Sequence, residues 1–119
     1  MTENDPSKAN LSWCYEQIEF ALRVCASPAD AQIGYHADRH GIAIDEIALE
    51  FEDAVRAVPA LTVAGMISPE DRERIEHLDA YLAVMSDDES LWTEEALRGR
   101  EEWARVRELA SGALEHMGV

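Results

Sequence analysis

The chain has 119 residues, 47% of them apolar, and carries 25 acids against 10 bases for a net charge of −15. The apolar share is enough to build a core, which excludes intrinsic disorder despite the charge. The acidic balance argues against nucleic acid and anionic membranes, both of which are bound through Lys and Arg, and favours a basic protein as partner.

Residues 1–7 read as a frayed tail, and the polar, acidic opening predicts no secretory leader in this stretch. A first helix is predicted over 8–26, where Leu11, Cys14, Ile18, Ala21, Leu22 and Cys25 recur at three- and four-residue steps. Trp13, Phe20 and Val24 widen that stripe and predict contact on two sides. Cys14 and Cys25 lie about 16 Å apart along this helix, at ~1.5 Å per residue, too far for a disulfide. Free thiols fit a cytoplasmic location. With no Arg or His in register to activate them, they read as structural.

Ser27-Pro28-Ala29-Asp30 opens a second helix, with Ser27 as N-cap, Pro28 in the first turn, and Gly41 as the stop. A third helix is predicted over 44–58, ending at Pro59. Ile44, Ile47, Phe51, Ala54, Val55 and Val58 fall within about 100° on its wheel. The apolar stretch 59–67, broken by Pro59 and Gly65, reads as a buried connector or a short helical turn. Its uncharged surroundings fall short of the ~20 residues a membrane span needs.

Ser68-Pro69-Glu70-Asp71 caps a fourth helix with Ile75, Leu78, Leu82 and Met85 on one face. Residues 86–90 are a polar break, Thr93 caps a short helix over 94–98, and Gly99 separates it from a last helix over 100–117. That helix is expected to bury Trp103, Val106, Ala110, Ala113 and Leu114 and to end at Gly118. Nothing alternates with period two. The expected architecture is one all-α domain over 8–119, a compact bundle of five or six helices.

Catalytic signals are sparse. His36 and His40 share a helix face and could ligate a metal, with Asp45 or Glu46 as a third ligand. The zincin pattern, however, needs Glu directly after the first His, where Ala37 stands. A helix-end His40 is also explained by the dipole there. There is no Gly-rich phosphate loop, Ser/His/Asp order or Cys/His/Cys cluster, so no cofactor and no enzyme activity are expected. A metal-dependent enzyme around the two histidines is the alternative. The second and third helices have the spacing of a helix-turn-helix, but its recognition helix would carry Asp45, Glu46, Glu50, Glu52 and Asp53 against Arg56 alone. Those acids would face DNA phosphates, which argues against that role.

The same acids point to a protein partner. They span the side of the third helix opposite Ile47 and Phe51, with Leu49 among them. Leu49 either packs on a neighbouring helix or stands as an apolar anchor in an acidic field, where charge speeds encounter and the desolvated residue supplies affinity. A second cluster, Asp87, Asp88 and Glu89 with Glu94 and Glu95, holds five acids in nine residues around Trp92. Its alternative reading is a solvated loop, a Trp packed into the core and favourable acids at a helix N-terminus. The candidate partner-binding set is therefore Asp45, Glu46, Leu49, Glu50, Asp53, Asp87, Asp88, Glu89, Trp92, Glu94 and Glu95. Charge reversal at Glu50 and Asp53 is expected to slow association. A homo-oligomer formed through the apolar run 57–67 is the other reading.

The stretches 45–52 (DEIALEFE), 78–86, 91–97 (LWTEEAL) and 102–110 (EWARVRELA) resemble a group of small bacterial helical proteins. The likeness covers most of the chain after Ile44, and the LWTEEAL block is its most specific part. It implies an all-helical fold and brings no activity or site residues. In size, charge and class alone the chain is also similar to acidic helical immunity proteins that neutralise nuclease-type toxins, although their characteristic motif is missing here. That likeness implies an inhibitor of a basic toxin or regulator; analogy of this kind does not fix function.

Overall fold

A computed structural model describes residues 6–39 and 44–119. Among these residues there are seven α-helices and one 3-10 turn: α1 Pro6–Ala26, α2 Ala29–Arg39, α3 Asp45–Val55, α4 Val58–Val63, α5 Pro69–Met85, the turn Glu89–Leu91, α6 Glu94–Gly99 and α7 Glu101–Met117. No strand occurs among the described residues. The all-α class is as expected, with a slightly higher helix count because the stretch after Val55 forms a helix of its own.

Local chemistry accounts for most boundaries. Ser68 Oγ accepts from the Asp71 backbone N–H at 3.1 Å, and Thr93 Oγ1 accepts from that of Ala96 at 3.0 Å, each satisfying a donor that the first helical turn leaves open. Gly118 closes α7 with a left-handed φ of +79°, a conformation cheap only for glycine. Other expectations need correcting. α1 begins at Pro6, so Pro6 and Ser7 belong to a helix; residues 1–5 of the expected tail lie outside the described part. The Ser27 hydroxyl turns back and donates to the Arg23 carbonyl at 2.7 Å, so it closes α1. Pro59 does not simply stop the third helix. It occupies the first turn of α4, where its missing N–H costs nothing.

One continuous core joins the helices. α1 packs on α7 and α3, and α5 packs on the same two. Ile18, Leu22 and Cys25 meet Phe51, Ile75, Leu78, Trp103, Val106 and Ala110 in a single buried cluster. Buried Gln32 knits three elements together. Its Nε2 donates to the carbonyls of Val24 and Cys25 at 2.9 and 3.1 Å, and its Oε1 accepts from Arg107 at 3.2 Å. His116 Nδ1 lies 2.5 Å from Asp71 Oδ1, fastening the end of α7 to the first turn of α5. α1 makes contact on two sides as expected, with α7 and with α3, although Trp13 and Phe20 remain exposed and Val24 is half-buried.

Candidate functional site: an acid-rimmed groove between α3 and α5

The groove is built from two helical stripes. Ile44 at the mouth of α3, then Asp45, Ala48, Leu49 and Glu52, form one wall; Asp79, Leu82, Ala83 and Ser86 on α5 form the other. Steps of three and four residues keep each set on one helix face. The chain from Ser86 to Glu94 closes one end with Glu89, Trp92, Thr93 and Glu94. The open groove has a volume of about 800 Å³, on the scale of a ligand or side-chain-binding cleft.

Trp92 is fixed in its wall. Its indole N–H donates to the Met85 carbonyl at 3.0 Å, and its ring stands edge-on to buried Trp103, which itself donates to the Leu91 carbonyl at 2.6 Å. Trp92 is therefore half-buried, packed against the core as the plain reading expected, and also lines the groove beside Glu89 and Glu94. Leu49 is 49% exposed, so no neighbouring helix among the described residues buries it.

Five acids, Asp45, Glu52, Asp79, Glu89 and Glu94, line this apolar floor, and no Lys, Arg or His lies among the described lining residues. Partial burial, then Glu52, then Glu76 hold the Asp79 carboxyl above the usual carboxylate range.

The two acidic clusters expected from sequence therefore meet, but only in part. Asp45, Leu49, Glu89, Trp92 and Glu94 converge on the groove. Glu50 and Asp53 instead line a smaller groove of about 320 Å³ with Trp13, Cys14 and Phe20. Glu46, Asp87, Asp88 and Glu95 line neither. Asp88 is engaged in the chain itself: its Oδ1 accepts from Ser90 N and Ser90 Oγ at 3.0 and 2.6 Å, and these bonds, aided by Arg100, hold its carboxyl below the usual range. The run 87–95 has no base in sequence, yet Arg100 folds back on it. Asp79 was not anticipated at all, and Glu52, though one of the acids on the polar face of the third helix, was not in the candidate partner-binding set. Asp79 stood in a helix read only for its apolar face, and nothing in the linear pattern paired it with Glu52.

The remaining candidates are quickly placed. The His36 side chain and His40 lie outside the described residues, as does the connection between α2 and α3. No group of three His, Cys, Asp or Glu among the described residues could hold a metal ion. Cys14 and Cys25 are free thiols, and burial, with a smaller push from Glu50, raises the Cys25 thiol to about 12. The apolar run 57–67 turns Val58, Leu61 and Ile67 into the core and leaves Val63 and Met66 exposed. No described helix is long and apolar enough to cross a membrane.

Among the described residues the fold is a small acidic helical bundle whose larger groove, between α3 and α5, and smaller one, between α1 and α3, both join acids to apolar side chains. No protein-family model, curated protein or solved structure matches the chain.

Proposed function

We propose that this chain is a non-catalytic binding module that takes a basic protein into the α3–α5 groove, in the manner of an inhibitor or immunity protein covering a cationic toxin or regulator. The observation that carries the reading is the meeting of five carboxylates with Leu49 and Trp92 in one cleft. Long-range charge accelerates encounter and fixes orientation, while desolvation of Leu49 and Trp92 supplies affinity. A cation arriving beside Asp79 relieves the repulsion from Glu52 and Glu76. Phosphate-bearing nucleic acid and anionic lipid meet the opposite field. Free thiols at Cys14 and Cys25 suit a reducing, cytoplasmic setting.

The test is capture from a lysate of the source cells at low salt, followed by reconstitution from purified components. The reading expects a partner of net positive charge, bound by the wild type and by Glu50→Lys/Asp53→Lys, but at least about tenfold more weakly by Asp45→Lys/Glu52→Lys. A reconstituted partner that binds all three alike, or one that is itself acidic, overturns it.

A further inference from the structure

The shape of the groove says what kind of backbone fits it, and this deepens the proposed function, on which it rests. Both long walls are helices, and their lining residues form ridges running along each helix. Such paired ridges present the surface on which a further helix packs. From Ile44 to Glu52 the α3 wall spans about 12 Å at ~1.5 Å per residue, or roughly two helical turns.

An extended guest has little to hold here. The backbone of α3 and α5 is committed to its own helical hydrogen bonds, and no strand edge exists among the described residues, so strand addition is not on offer. A guest helix satisfies its own backbone and needs only side-chain contacts. Ala48 on α3 and Ala83 on α5 are the smallest lining residues of the two helical walls, which favours close approach of a guest backbone. The acids on the rim then require basic residues flanking the guest's apolar stripe. A second copy of this chain is a poor occupant, since it brings a further −15 to the same acids.

We infer that the α3–α5 groove receives a cationic amphipathic helix of a partner protein, seating an apolar stripe about two turns long between Leu49 and Trp92 with Arg or Lys beside Asp45, Glu52 and Asp79.

The probe is an amidated peptide of about 14 residues, long enough for a marginal helix, with leucines at i, i+3, i+4 and i+7 and arginines on both flanks. Two controls accompany it, one with a central proline and one with glutamate for arginine. Calorimetry measures affinity and circular dichroism measures helicity on binding. The inference expects the arginine peptide to bind and gain helicity. The proline control should bind roughly a hundredfold more weakly, the cost of a mid-helix proline, and Leu49→Ala should weaken the arginine peptide by roughly tenfold. Equal binding of the proline control overturns the helix and leaves the basic-partner reading standing. So does failure of every peptide while a reconstituted basic partner still binds through Asp45 and Glu52. Equal binding of the glutamate control overturns both.

Discussion

Trp92 stands edge-on to Trp103, with ring centroids 5.2 Å apart and planes at 85°. This contact ties the groove wall to the core, because Trp103 is fully buried while Trp92 is the member that faces the cleft. The two residues should therefore fail differently. Trp103→Ala removes a fully packed ring and should cost about 3–5 kcal/mol in urea unfolding. Trp92→Ala should cost roughly 1–2 kcal/mol, with a folded protein that has lost one wall of its groove. Equal losses for the two would mean that Trp92 is no more than another core residue.

Asp79 offers a test of whether charge in the groove serves the fold. Its folded pKa is raised, so between the unfolded value, near ~4, and the folded one the native state binds more protons than the unfolded chain. Stability therefore falls as pH rises through that window. Asp79→Asn should stabilise the protein at pH 7 by less than about 1 kcal/mol, after allowance for solvent screening, and the gain should vanish below the unfolded pKa. Denaturant midpoints at several pH values check this. The same variant should bind a cationic partner less well, an opposition expected of a functional rather than a structural charge.

Gln32 is a purely architectural counterpart. Gln32→Ala strips two carbonyls at the end of α1 of their side-chain donor and deprives Arg107 of an acceptor. With the site buried, the expected loss is about 2 kcal/mol in unfolding free energy. Affinity for a groove ligand should be unchanged under conditions where the variant is folded.

The cysteines report on packing directly. Cys14 is half-buried and Cys25 fully buried, with the Cys25 thiol pushed up to about 12. At neutral pH a thiol reagent should modify Cys14 in the native protein and reach Cys25 only on unfolding. Prompt native-state labelling of Cys25 would contradict the packing of α1 on α3.

Much of the fold was legible because helix chemistry is local. Ser68, Thr93 and Gly118 act where their positions in the chain say they should, and the apolar faces of α5 and α7 are buried as their spacing predicts. Ser27 misled because a hydroxyl at a helix–helix junction can serve either helix, and here it bonds backward to Arg23. Pro59 misled because proline ends one helix and begins another equally well. The candidate site was half legible. Sequence locates dense acids around Leu49 and Trp92, but convergence is a tertiary property. Helical rotation carries Glu50 and Asp53 toward α1, while α5 contributes Asp79 from a position with no linear connection to either cluster.

The proposed function requires that cationic ligands be bound by the α3–α5 groove rather than by acidity in general. Backbone-amide and indole NMR during titration with the arginine-flanked peptide tests it most directly. Shifts should be confined to Ala48, Leu49, Glu52, Asp79, Ala83 and the Trp92 indole and should saturate together. Shifts centred on Trp13, Phe20 and Asp53, or spread evenly over the acidic surface without saturation, would contradict it.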